Sequence, residues 1–114
     1  MTLPAKFFER PTGCIEIATP EPYGDVGFFL TTEATHSQSR WLNEFLAILE
    51  QWDPNSSSTY AGTGEIWFVQ IRGELISLIG QPEFLPEHGV TVSIADFLKV
   101  AKMWKAKLLE HESK

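Results

Sequence analysis

The sequence is poor in cysteine, since Cys14 is the only one among 114 residues. A single thiol cannot form a disulfide within the chain, which excludes a small secreted scaffold held together by disulfides. The N-terminal residues also lack an apolar segment of signal-peptide length, so we predict a cytoplasmic protein. We expect Cys14 to be a buried strand residue, because no neighbouring base or cation favours a reactive thiolate.

Long apolar runs and catalytic signatures are also missing from the sequence. A bilayer-spanning helix needs about 20 apolar residues, and the longest runs here are far shorter, so no membrane association is expected. His36, His88 and His111 lack the spacing of metal ligands, and we predict no metal or other cofactor. No serine stands in the glycine-flanked turn of a hydrolase nucleophile. These absences favour a binding protein over an enzyme.

Basic residues are scarce in most of the chain. Residues 1–92 hold 4 Lys and Arg against 12 Asp and Glu, whereas residues 93–114 hold 5 against 3, and the formal net charge is −6. An acidic body repels nucleic-acid phosphates and attracts basic proteins over long distances, although moderate negative charge also serves solubility. Four lysines near the C-terminus predict a solvated helix face and leave nucleic-acid binding as a weak alternative: Lys99, Lys102, Lys105 and Lys107.

The first third of the sequence predicts strands and the next segment a helix. β-rich runs separated by Pro and Gly indicate three strands within residues 6–32, the third over residues 26–31. From about Ser39, Trp41, Phe45 and Leu49 recur every four residues, which predicts an amphipathic helix that ends near Gln51. The Ser-rich segment 53–59 then reads as a loop.

The second half predicts a hairpin and a closing helix. Residues 65–71 and 74–79 are β-rich and are joined by Arg72-Gly73, a tight-turn signature. Both faces of this pair are apolar, which predicts a central position covered at least partly on both sides. Gly62 and Gly64 precede a strand rather than a helix, so we predict a loop there and no phosphate site. Ser93 begins a capping box for the last helix.

The whole chain, residues 1–114, is therefore predicted to be a single α+β domain. We expect an antiparallel sheet packed against two helices as a two-layer sandwich. The predicted order is three strands, a helix, two or three strands, and a closing helix.

Six side chains are the predicted contacts for a protein partner. Trp41, Trp67 and Trp104 fall on apolar faces and are expected in the core, whereas Trp52 borders the polar loop and suits an interface anchor. Glu65 and Glu74 lie near opposite ends of their own strands, and as an acid–base pair they are a weaker alternative to an acidic strip made with Glu16, Asp25 and Asp53. The predicted contact residues are Asp25, Trp52, Asp53, Tyr60, Glu65 and Glu74.

Four segments resemble the YacL-like family of small uncharacterised bacterial proteins: KFFERPTGCIEIA, FFLTTEAT, GEIWFVQIRGELISL and ADFLKVAKMWKAKL. The resemblance extends from about Lys6 to Leu108. It implies a fold and no catalytic residues, and it is compatible with small bacterial immunity proteins, which bind and block a toxin encoded beside them.

The leading hypothesis is a non-enzymatic immunity protein that neutralises a basic toxin domain, such as a nuclease of contact-dependent inhibition. The alternatives are a YacL-like housekeeping protein with another intracellular partner and a small-ligand binder or small enzyme.

Overall fold

The computed structural model describes residues 3–113, which form six strands and three helices. Their order along the chain is β1 (Lys6–Glu9), β2 (Ile15–Ala18), α1 (Gly24–Glu33), α2 (Arg40–Glu50), β3 (Thr59–Thr63), β4 (Trp67–Arg72), β5 (Leu75–Gly80), β6 (Gly89–Ser93) and α3 (Ile94–Glu112). The fold class is α+β, as predicted. None of these helices has both the length and the apolar character that a membrane-spanning segment requires.

The four later strands form one antiparallel sheet in the order β3-β4-β5-β6. The predicted hairpin is confirmed as β4 and β5, with Arg72 paired to Leu75 beside the turn and Trp67 paired to Gly80 at the other end. Gly73 has a φ of 58°, a conformation that glycine adopts without a steric penalty. Residues 59–63, part of which was predicted as loop, instead extend the sheet as β3.

One face of this sheet is buried and the other is open. Along β4, side chains alternate strictly between buried and exposed, and Trp67, Val69 and Ile71 face the core. The hairpin is central in the sheet, as predicted, but the helices cover only its inner face, and the outer face is covered less than the sequence predicted. The outward side chains Phe68 and Ile79 remain exposed, because all three helices lie on the side of the sheet where the core is.

Helix α3 begins at its predicted cap, and helix α2 begins close to the predicted residue with Ser39 as its cap. The hydroxyl of Ser39 accepts from the Leu42 amide at 3.2 Å, and the hydroxyl of Ser93 accepts from the Asp96 amide at 3.1 Å. Each bond satisfies an amide that the first helical turn leaves without a backbone partner. The buried faces of the two helices join the inner face of the sheet in one hydrophobic core.

The predicted third strand at residues 26–31 is wrong, because these residues lie within α1. Val26, Phe29 and Leu30 have helical spacing and are fully buried on one side of α1. The Thr19 hydroxyl accepts from the Gly27 amide at 2.9 Å, close to the start of the helix. Burial of this apolar side in tertiary structure overrides the β propensity of the segment.

Strands β1 and β2 form a separate two-stranded sheet that packs against α1 and α3. The Thr31 hydroxyl of α1 accepts from the Ile17 amide at 3.1 Å and donates to the Ile17 carbonyl at 3.2 Å. At Gly27 the helix lies so close to β2 that an added Cβ would stand 2.7 Å from the Ile17 carbonyl oxygen. Glycine is therefore required where helix and strand meet.

We expect Gly27→Ala to destabilise the fold by about 1–3 kcal/mol, the usual range for overpacking a core. The higher helix propensity of alanine contributes roughly 1 kcal/mol in the opposite direction. The net loss of unfolding free energy therefore shows how far the backbones of α1 and β2 can move apart. Gly89→Ala is the matched control, since its Cβ would meet the Leu78 carbonyl oxygen at an ordinary 3.6 Å. Urea unfolding of both variants checks the expectation, and equal midpoints would contradict it.

Candidate functional site

The six predicted contact residues lie at two opposite ends of the four-stranded sheet. Trp52, Asp53, Tyr60 and Glu74 lie towards the turn between β4 and β5, which we call the hairpin end. Asp25 and Glu65 lie where β4 begins and β5 ends, which we call the acidic end. Since β4 has six residues, roughly 17 Å separates the two ends. The predicted residues therefore do not form one continuous acidic strip.

At the hairpin end, Trp52 supports the fold directly. Its indole N–H donates to the carbonyl of Gly73 at 2.9 Å, which ties the end of α2 to the β4–β5 turn. The Tyr60 ring lies 6.3 Å from the ring of Phe45 in α2. Both aromatic side chains are half-buried against the core. Their contact with a partner stays a prediction.

The carboxylates of the hairpin end do not lie close to those of the acidic end. Asp53 is exposed and accepts from the Asn55 amide at 2.9 Å, which closes a local turn. Glu74 lies in the β4–β5 turn, whereas Glu65 precedes the first residue of β4. The two glutamates are thus separated by the length of β4, and they form no acid–base pair. Glu16 is bonded to Arg10 on the small hairpin.

At the acidic end, α1 crosses the sheet and is bonded to it by two carboxylates. Near the C-terminus of α1, Glu33 accepts from the Glu65 amide at 3.1 Å and from the Ile66 amide at 2.9 Å. In its first turn, Asp25 accepts from the Gly89 amide at 2.8 Å. Charged acceptors make stronger hydrogen bonds than neutral ones. These two carboxylates hold α1 across the ends of four strands.

Asp25 also contacts the side chain of His88. The Nδ1 atom of His88 lies 2.8 Å from a carboxylate oxygen of Asp25. The imidazole packs against the rings of Phe28 and Trp67, at centroid distances of 5.3 and 6.3 Å. Asp25 is therefore largely occupied by contacts inside the protein, and it anchors the loop between β5 and β6 to α1.

Three other carboxylates at the acidic end face solvent. Glu65, Glu83 and Glu87 are exposed, and none of them has an ion-pair partner within residues 3–113. The elements that build this end are α1, residues 64–66 and residues 81–88, and none contains Lys or Arg. Glu83 and Glu87 were not among the predicted contacts, although the lack of basic residues over 73–98 was visible in the sequence. This end presents uncompensated negative charge.

The histidines and the cysteine do not form a metal site in the part of the chain that is described. No group of three or more His, Cys, Asp or Glu side chains within residues 3–113 is placed to hold a metal ion. Cys14 is exposed in the turn before β2, so its predicted burial is wrong. The turn at residues 11–14 projects from the small hairpin, and the register of β1 with β2 begins only at Ile15.

A groove of about 820 Å³ lies between β2, α1 and the end of α3. Its inner wall includes Ile17, Trp104 and Leu108, and its rim carries His36, His111 and Glu112. The volume is in the range of small-molecule sites. Of the three carboxylates that line it, Glu112 is bonded to Ser37 and Glu16 to Arg10, so only Glu21 is left without such a bond among the described residues, and the groove holds no free carboxylate pair there.

Glu112 connects the end of α3 to the segment between α1 and α2. One carboxylate oxygen accepts from the Ser37 amide at 2.9 Å, and the other accepts from the Ser37 hydroxyl. These hydrogen bonds hold the pKa of the Glu112 carboxyl below its usual range, and the bond from the Ser37 hydroxyl has the largest effect. The indole N–H of Trp104 reinforces the same connection by donating to the Ala34 carbonyl at 2.7 Å.

We expect Glu33→Ala to destabilise the protein by about 1–3 kcal/mol, because two backbone amides lose a charged acceptor. The Glu65 and Ile66 amides should also exchange with solvent faster. Glu44→Ala is the matched control, since Glu44 is an exposed helix residue whose pairing with Arg40 contributes at most about 0.5 kcal/mol. Urea unfolding and amide hydrogen exchange measure both variants. Equal effects would show that Glu33 is only a surface carboxylate.

The Ser37–Glu112 contact should stabilise the fold only while Glu112 is ionised. A carboxylate whose pKa is lowered by folding stabilises above its unfolded pKa, about 4.3 for Glu, and this contribution is lost as the pH falls through the folded pKa. We therefore expect Glu112→Gln to be less stable than wild type at about pH 6, and the difference to shrink as the pH falls below about 4.3. Glu110→Gln serves as the control. A difference independent of pH would refute this role.

The chain matches no known family model, and neither a curated protein nor a solved structure matches it. The resemblance to the YacL-like family therefore stays a prediction.

Proposed function

We propose that this chain is a non-enzymatic binding protein for a basic protein domain, and that it acts as an immunity protein that neutralises a bacterial toxin. The observation that supports this best is the acidic end. Glu65, Glu83 and Glu87 are exposed there on elements without a single basic residue. A basic nuclease domain is a suitable partner, because its nucleic-acid site must itself be positively charged.

Exposed carboxylates at one end favour rapid capture of such a partner. Complementary charge can raise the association rate well above the roughly 10⁵–10⁶ M⁻¹s⁻¹ of uncharged pairs at low salt. The same charges contribute less to the lifetime of a complex, which depends on buried anchors. An inhibitor that must act before a toxin reaches nucleic acid benefits from a fast encounter.

The lysines of α3 are a poor alternative site for nucleic acid. Lys102 pairs with Glu50 at 3.2 Å, Lys107 pairs with Glu110 at 3.5 Å, and Lys105 donates to the side chain of Asn43. Lys107 also lies over the ring of Phe7, 5.7 Å from its centroid. Much of this positive charge is already paired with other side chains of the protein, whereas phosphate binding needs several unpaired cations.

The test is co-expression with the product of the neighbouring gene, followed by kinetics on the purified pair. We expect a complex that abolishes the toxicity of the neighbour, and an association rate that falls at least about tenfold between low and physiological salt. Glu65→Gln combined with Glu83→Gln should reduce both the rate and its salt dependence. Glu9→Gln, an exposed carboxylate on β1, is the control.

Two results would contradict this proposal. A salt-independent association rate would remove its electrostatic basis. A neighbour that is neither toxic nor bound would remove the immunity role and leave a housekeeping partner as the better hypothesis.

A further inference from the structure

Three large apolar side chains are exposed at the acidic end of the sheet. Phe68 and Ile79 are paired across β4 and β5 on the open face, and each is 37% exposed. Phe84 is 56% exposed in the loop that follows β5. Adjacent exposed apolar side chains such as Phe68 and Ile79 favour a binding surface more than scattered ones do.

The open face around this pair carries almost no charge. Among its outward side chains, Arg72 is the only charged one, and it lies at the hairpin end. The remaining outward positions are neutral: Thr59, Ala61, Thr63, Phe68, Gln70, Leu75, Ser77, Ile79, Gly89, Thr91 and Ser93. A neutral face in a molecule of net charge −6 costs little to desolvate, because no ion must be buried.

Backbone hydrogen bonds within the loop that carries Phe84, and from this loop to the segment before β4, brace the loop. The amides of Phe84 and Leu85 both donate to the Gln81 carbonyl, at 3.0 and 2.8 Å. Gln81 itself donates to the Ile66 carbonyl at 2.9 Å, and His88 is bonded to Asp25. A loop ordered before binding presents an exposed ring without a large entropic penalty on association.

Glu87 adopts an unfavourable backbone conformation within this loop. Its φ is 68°, in the left-handed region that costs a non-glycine residue about 1–2 kcal/mol. Glycine would remove this strain, yet the position holds an exposed carboxylate. A conformation retained at a cost is a reason to look for a function of its side chain.

We propose that Phe68 and Ile79 on the open face, together with Glu83, Phe84 and Glu87 of the loop that follows β5, form the docking surface for the basic partner. The identity of the partner class rests on the proposed function, whereas the location rests on the exposed apolar side chains. Charge complementarity favours a basic protein as the occupant. An apolar patch on that protein, bordered by Lys and Arg, buries its centre against the two rings. Its cations then lie beside the two carboxylates. A second copy of the chain would instead bring like charges together.

The direct test uses synthetic peptides as probes of the intact protein. Amide NMR spectra are recorded while an amphipathic Lys–Leu peptide is added at low salt, and a Lys–Ser peptide of equal charge is added in parallel. We expect saturable shifts at Ile79 and Phe84 with the Lys–Leu peptide, and a Kd about tenfold higher for the Lys–Ser peptide. Shifts centred on α3 or the small hairpin, or equal affinities, would overturn the proposal.

Matched variants separate a docking role from a structural one. Phe84→Ala should raise the Kd for the Lys–Leu peptide about tenfold, which is the loss expected for a single anchor. Met103→Ala, at 43% exposure on α3, should leave it unchanged. Glu87→Gly should weaken binding while the Tm stays equal or rises by a few degrees, because strain is relieved. Equal binding by wild type, Phe84→Ala and Glu87→Gly would overturn the proposal.

The complex with the neighbouring gene product distinguishes this inference from the proposed function. If the complex forms and Phe84→Ala binds as tightly as wild type, the docking surface is wrong while the immunity role survives. If no such complex forms and the peptide results hold, the surface stands and the proposed partner is wrong. A dimer in sedimentation that Phe84→Ala dissociates would assign the surface to a second copy and overturn the choice of a basic partner.

Discussion

The placement of α1 is the constraint on which the rest of the structure depends. Its two carboxylates accept from backbone amides of the sheet, Glu33 at the start of β4 and Asp25 at the start of β6. On its other side, Gly27 permits contact with β2 without a Cβ. The helix therefore joins the four-stranded sheet to the two-stranded one, and it closes the core at the end where the free carboxylates are found.

Six of the fifteen acidic residues fall into two groups with different roles in this arrangement. Asp25, Glu33 and Glu112 accept hydrogen bonds from the protein itself, and their charges stabilise loops and helix ends. Glu65, Glu83 and Glu87 have no ion-pair partner within the described residues, and they face solvent. Net charge alone does not separate these groups, since both contribute equally to it. Of these two groups, only the second is available to attract a basic partner.

Periodicity predicted the elements whose burial pattern is simple. The stripe of Trp41, Phe45 and Leu49 gave α2, and the turn at Gly73 gave the hairpin, because each signal is local. The segment from Val26 to Thr31 was misread for the opposite reason. Its residues favour strands individually, and what makes them helical is burial against the sheet and the close contact of Gly27 with β2, neither of which is local.

The amino-acid sequence by itself determined the α+β class, the two amphipathic helices, the central hairpin and the acidic character, since these follow from composition and from contacts between near neighbours in the chain. Tertiary structure alone decided which carboxylates are free, that Asp25 and Glu65 lie far from Trp52 and Glu74, and that one sheet face stays open. Those features depend on pairs such as Glu33 and Ile66, which are 33 residues apart. No local pattern encodes a contact over such a distance.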